Sequence, residues 1–332
     1  MNGRRLGGFE LAAAAVLVAT AAAAYALRNG WTGVDLPAFA AAGRTMLSAG
    51  WRHTYHSTFF QAGPLELALA ALVEWLAGSS RALLAIVCAL TVAAPLVAVT
   101  RTLIGRRALA VVMVGTCALA LGVITDPYVH GHFAEPVTGL LWLLAARAAR
   151  RDHVVAAGLL VGASAGFELW GILGATVLLL APGLRRAAVG IGVAAATPLA
   201  LLAPFVLGGD FHMFAYRWHV TGGLMGALLG DEHQFGWSLR VLQGSVTVAL
   251  AGTIARRSRR SPASIYAVPF ATALCRLLLD PMSISYYFDV ATEVAVIGAA
   301  AMLAARAQLR AWLEAAVRPP GGLRTSVTAA DR

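Results

Sequence analysis

Apolar positions along this chain come in runs of about 20 residues, rich in Ala, Leu and Val, with no alternation of polar and apolar positions inside them. Lipid leaves no water to bond stray backbone groups, so only helices and closed barrels cross it. Barrel strands alternate from residue to residue, so these runs predict helices. Spans are expected at 9–27, 82–100, 107–125, 134–149, 153–167, 168–183, 187–208, 238–255, 263–279 and 286–306. The fold class this predicts is all-α, a polytopic membrane protein of about ten transmembrane helices with extracytoplasmic juxtamembrane helices added. One transmembrane domain is expected over 1–312. A cytoplasmic tail over 313–332, with Pro319-Pro320-Gly321-Gly322, is expected to be disordered. Arg4-Arg5 followed by an Ala-rich run to Ala26 has the layout of a signal peptide. The many later spans favour a retained first helix.

The pattern is broken by residues 28–78, the long polar interruption of the first hundred residues. It closes in an apolar stretch, Pro64 to Gly78, carrying Glu66 and Glu74. At about 15 residues this is short for a span, and it is expected to lie amphipathically in the outer interface, within a first loop over 28–81. Arginine counting supports that choice. With Pro64–Gly78 outside the membrane, 19 of the 26 basic residues fall on one side, in connections such as RTLIGRR, RAARRD, GLRR and RRSRR. That side is the cytoplasm by the positive-inside rule. Both termini are then cytoplasmic, and the longer loops are extracytoplasmic. Of eight His, only His153 falls inside.

Composition agrees. The 332 residues are 59% hydrophobic and 13% charged, with mean hydropathy +0.73. A soluble domain is about 25% charged. The net charge of +10 follows from basic cytoplasmic loops and does not indicate nucleic acid. Cys88, Cys117 and Cys275 lie within apolar runs without metal spacing and read as small core residues.

Chemistry concentrates in the outer segments. Asp35, in GVDLPAF, suits a helix N-cap first, by its local sequence; a carboxylate acting as general base on an acceptor hydroxyl is the second reading, and the two roles do not exclude each other. The same loop supplies Arg44, His56 and Gln61 as candidate substrate contacts. TDPYVHGHFAEP packs Asp126, His130, His132 and Glu135 between two spans. Metal ligation there is conceivable, but the spacing matches no strict metal motif. Loop 209–237 offers Arg217 and His219, and the two spans after it offer Arg240 and Arg276. These could hold a phosphate or snorkel to lipid headgroups. Glu168 falls at a turn between two short spans, and Asp280, Asp289 and Glu293 flank Tyr286-Tyr287. Arg276, four before Asp280, shares its helix face. No dinucleotide fingerprint, P-loop, G-x-S-x-G or H-E-x-x-H occurs. A donor recognised at the outer face is therefore expected to be lipid-linked.

The motifs D-x-x-x-F-x-x-A-G-R-x-x-L-x-x-G from Asp35 to Gly50, P-L-E-L, GHFAEPVTGLLWLLA, GLLVGASAGFELWG and FGWSLRVLQ cover roughly residues 10–245. In them the chain resembles the C-type integral membrane glycosyltransferases, most of all the actinobacterial polyprenyl-phosphate-mannose-dependent mannosyltransferases. It departs from that pattern at Gln61-Ala62-Gly63-Pro64, where relatives have an aromatic residue before Pro-Pro, and at Glu168, where a Lys is frequent. The resemblance implies transfer of a sugar, mannose, from a polyprenyl-phosphate donor to a cell-envelope glycolipid or glycan, with inversion. Asp35 would be the base, and neither a cofactor nor a metal would be needed. Asp126, His130, His132 and Glu135 would line the sugar pocket, and Arg217, His219, Arg240 and Arg276 would hold the carrier phosphate. The partners expected are that donor, the acceptor and membrane lipids. The competing class is a non-catalytic membrane protein, either a transporter of lipid or solute or an inactive subunit of this fold. A transporter should place its polar residues near the midplane in broken helices.

Overall fold

The computed structural model describes residues 7–29, 33, 35–105, 108–230, 233–282 and 284–317. Arg4-Arg5, Trp31, Arg106-Arg107, Asp231-Glu232 and the tail from 318 onward lie outside the described residues. The chain is nearly all helical. In order it runs α1 (Gly8–Asn29), α2 (Asp35–Met46), α3 (Pro64–Ala77), α4 (Arg81–Ile104), α5 (Ala108–Ala120), α6 (Asp126–Val129), α7 (Ala134–Arg150) and α8 (Val154–Phe167). A 3₁₀ helix (Leu169–Leu180) comes next, then α9 (Leu184–Gly208), α10 (Gly223–Leu229), α11 (Trp237–Ser258), α12 (Ser264–Leu278) and α13 (Asp289–Val317). Among the described residues the strands are β1 (Trp218–His219) and β2 (Gln234–Phe235), paired antiparallel. Residues 313–317, expected to belong to the tail, continue α13.

Each expected span coincides with a helical segment, but their lengths differ. Among the described residues, four helical stretches are long and apolar enough to cross a membrane: Arg81–Ile104, Leu184–Gly208, Trp237–Ser258 and Ser285–Gln308. Of the other expected spans, 9–27 falls on α1 with 22 residues, and the rest fall on helices of 12–17 residues. α8 has 14 residues, about 21 Å at 1.5 Å per residue, against a hydrocarbon core of about 30 Å. α3 also has 14 residues, so length does not separate it from α8, and arginine counting is what leaves it out of the spans. It packs on α2, Gly43 lying against the Leu67 backbone, and the Arg44–Glu74 ion pair ties the two. Its other face exposes Leu72, Trp75 and Leu76.

α8 and the 3₁₀ helix form a hairpin that turns at Glu168. A stretch of 12 residues in 3₁₀ form is long for that geometry, and its rise of about 2.0 Å per residue carries it about 24 Å. Gly171 and Gly174 share one face of this three-fold helix. Gly171 meets the Ser164 backbone and Gly174 meets the Trp142 indole, where a Cβ would collide. Trp142 Nε1 donates to Ser164 Oγ at 3.1 Å and to the Gly171 carbonyl at 3.0 Å, so the closely approached backbone keeps its partners.

The two ends of the bundle differ in character. At one end α4, α7 and α11 finish and α9 begins, in Arg-rich turns. There Arg150 donates to the Ser261 carbonyl and to Ser264 Oγ, and Arg186 pairs with Asp152 at 3.2 Å. At the other end α2, α3, α7 and α13 begin and α8 and α12 finish, and the acids, His and aromatic residues meet. Along the sides Leu199, Leu207, Val241, Leu250, Met302 and Leu303 are more than half exposed. Water would oppose that exposure by about 1.5–3 kcal/mol for each large side chain, whereas lipid does not. Such a surface suits lipid rather than water.

Candidate active site

The centre of the polar end is built around one glycine. Gly131 has φ +88°, a conformation open to glycine, and sits directly on the Leu36 backbone at the start of α2. That seating brings His132 across Asp35, the first residue of α2. His132 Nε2 lies 2.9 Å from Asp35 Oδ2 and Nδ1 lies 3.7 Å from Glu135 Oε2. Asp35 is half-buried, and Glu135, in the first turn of α7, is fully buried. The His132 ring is stacked on Tyr286 at 4.3 Å and meets the edge of Phe39 at 5.4 Å. The imidazole is thus clamped on its faces while its two nitrogens face two carboxylates.

Asp35 and His132 open into a cavity of about 230 Å³. Gln61, Glu66 and Glu168 line it together with an aromatic wall that includes Tyr216, Trp218, Tyr286 and Tyr287. The first loop is stapled to the α8–3₁₀ turn: the Gly63 N–H donates to the Phe167 carbonyl at 2.5 Å, and Ala62 bridges Glu168. Glu66 is fully buried and its Oε1 accepts the Phe133 N–H at 2.8 Å. Burial pushes this carboxyl well above the usual carboxylate range. The Phe133 N–H opposes the rise and nearby Glu168 adds to it.

Behind the aromatic wall stands a charge cluster. Asp280 Oδ2 receives Arg240 at 3.0 Å and Arg276 at 3.4 Å. Arg240 lies over Trp218 at 4.3 Å, and Arg276 lies over Trp170 at 3.9 Å and Tyr287 at 4.5 Å. Gln243 accepts from Arg240 at 2.9 Å and donates to the Arg276 carbonyl at 3.1 Å. Two guanidinium groups share one carboxylate, and Arg276 Nε and Nη1 are buried without a hydrogen-bond partner among the described residues.

His130 lines a different cavity from His132. Its Nδ1 lies 3.1 Å from Asp126 Oδ1, in a second cavity of about 520 Å³ that Asp289 also lines. The hydrogen bond to Asp126 raises the His130 pKa, burial opposes this, and the charges of Asp126 and Asp35 add to the rise. His130 and His132 therefore serve different cavities. His132 turns opposite ring nitrogens to Asp35 and Glu135, so the cluster TDPYVHGHFAEP does not converge on a metal.

Of the expected site residues, Asp35, Gln61, His132 and Glu135 come together at the first cavity or directly behind it. Asp126 and His130 serve the neighbouring one, and Arg240 and Arg276 back the aromatic wall. Four are elsewhere. Arg44 is engaged with Glu74 on the outer side of α2. His56 is exposed beside Asp210 at 3.0 Å. Arg217 and His219 are exposed in the β1 segment, their side chains not lining the cavity. Alternation along a strand explains the last pair: Trp218, between them, takes the inward position. Glu66, Tyr286, Tyr287, Trp218 and Glu168 were not among the expected contacts. An acid in the first turn of a helix whose same face is apolar, as Glu66 is, was the available signal.

Comparison with known protein families, with curated proteins and with solved structures finds no match to this chain.

Proposed function

We propose that the chain is an integral membrane glycosyltransferase that moves a sugar, mannose by the sequence resemblance, from a polyprenyl-phosphate carrier to a hydroxyl of a cell-envelope glycolipid or glycan at the extracytoplasmic face. The observation that carries the reading is the Asp35–His132–Glu135 line opening into an aromatic-walled cavity at the Arg-poor end of the bundle. His132 holds Oδ2 of Asp35 and leaves Oδ1 to take the proton of the acceptor hydroxyl. The freed oxygen forms a bond to the anomeric carbon. The bond from that carbon to the carrier phosphate breaks, its electron pair staying on the phosphate oxygen. Attack opposite the phosphate inverts the anomeric centre. Arg240 and Arg276, sharing one acid, supply positive charge on the side where the leaving phosphate would sit. Tyr286 and Trp218 offer faces for a sugar ring. The ten-span arrangement belongs to this proposal, with α5, α8 and the 3₁₀ helix as its shortest members.

The test is Asp35→Asn in membranes supplied with lipid-linked mannose. Loss of a general base costs about 10²–10⁴-fold in rate. Transfer within threefold of wild type, by a variant that folds, would remove Asp35 from this role.

A further inference from the structure

Away from the cavity, residues 52–56 and 210–212 form a second constellation. The Asp210 N–H donates to the Arg52 carbonyl at 2.7 Å and the His212 N–H to the Tyr55 carbonyl at 2.9 Å. These two bonds clip the loops together, and their side chains meet at the surface. His56 Nδ1 lies 3.0 Å from Asp210 Oδ2, and the His56 and His212 rings stand perpendicular at 5.7 Å. One ligand atom from each of His56, Asp210 and His212 lies within 4.8 Å of the others. His53 Nδ1 is 3.6 Å from the same Asp210 oxygen.

We propose that His56, Asp210 and His212 form a binding site for a divalent transition metal of the zinc type. Two imidazoles and one carboxylate are a zinc donor set, and ligand atoms in tetrahedral zinc stand about 3.3 Å apart. The His56–Asp210 pair already has that spacing. All three side chains are at least partly exposed and can close the remaining gap by rotation, while the backbone clip holds their Cα atoms. The metal displaces the proton shared by His56 and Asp210 and leaves a fourth position for water. Magnesium and calcium, which ask for six or more oxygens, do not suit this set. His53 competes for the Asp210 oxygen and is not a ligand. The bound metal joins the 51–61 loop to the 209–216 loop. Gln61, which donates to the Met213 carbonyl at 2.9 Å, carries that clamp to the cavity rim. The site stands independently of any chemistry at Asp35.

The experiment uses tag-free full-length protein in detergent, titrated with zinc chloride by calorimetry, with bound metal counted by elemental analysis. Wild type is expected to bind one zinc per chain and to show a higher Tm with zinc than with chelator. His56→Ala, His212→Ala and Asp210→Asn should each weaken zinc binding about tenfold or more. His53→Ala should stay within threefold, and magnesium should give no saturable heat. The proposal is overturned if wild type takes up no zinc and shows no zinc-dependent rise in Tm. It is equally overturned if both His56→Ala and His212→Ala keep wild-type affinity.

Discussion

At the scale of single residues, the polar end holds ionisable groups whose titration should be measurable. Glu66 has its carboxyl raised by burial. Its stability contribution therefore falls as pH climbs above the unfolded carboxyl value of about 4.3 and continues to fall up to the folded value. Glu66→Gln keeps an acceptor for the Phe133 N–H and removes the ionisation. The variant should match wild type only below about pH 4, where the carboxyl is protonated in both states, and exceed its Tm at pH 8 by at least about 2 °C, a margin of roughly 1 kcal/mol. A lower Tm at pH 8 would mean that the fold needs the carboxylate. His130 follows the same sign, its pKa being raised first by the hydrogen bond to Asp126. Its ion pair stabilises the fold fully below the unfolded value of about 6.5 and is lost as pH rises through the higher folded value. In ¹³C-histidine NMR of the solubilised protein, Asp126→Asn should move the His130 midpoint downward. An unmoved midpoint would remove Asp126 as the cause.

At the scale of elements, the site depends on where helices begin. Asp35 suited an N-cap, and it stands at the first residue of α2, where the helix dipole favours an acid; its carboxylate is turned to His132. Gly131 makes that contact possible. Gly131→Ala forces an L-residue into φ +88° and drives a Cβ into the Leu36 backbone. The expected cost is about 1–3 kcal/mol, seen as a lower Tm, together with loss of transfer activity. Gly192→Ala is the contrast, since a Cβ there meets nothing within 4 Å. In the interior of α9 it should leave Tm unchanged or raise it by a few degrees, because Ala is favoured over Gly in a helix by about 1 kcal/mol. Equal losses in the two variants would contradict the assigned role of Gly131. The hairpin of α8 and the 3₁₀ helix was readable as two short helices about Glu168. Its 3₁₀ form was not, because Gly171 and Gly174 matter through the Ser164 backbone and the Trp142 indole, both brought from other segments.

At the scale of the whole molecule, acids and His gather at one end of the bundle and Arg at the other, and the proposed orientation puts the acidic end outside. In a cysteine-free background, Ser57→Cys should react with a membrane-impermeant maleimide on intact cells. Ser261→Cys, beside Arg150 at the opposite end, should react only after permeabilisation. The reverse pattern would invert the topology and place the cavity in the cytoplasm. By itself the sequence determined the helical class, the membrane environment, the short α3 and the polar segments that carry the chemistry. These follow from the length and hydropathy of contiguous runs, which are local properties. Only the tertiary structure decided which polar residues meet. Asp35 finds His132 across 97 positions, Glu66 holds the Phe133 N–H across 67, and His56 reaches Asp210 across 154. Such pairs depend on how helix ends are seated on one another, as Gly131 is on Leu36, and no pattern within a single run records that seating.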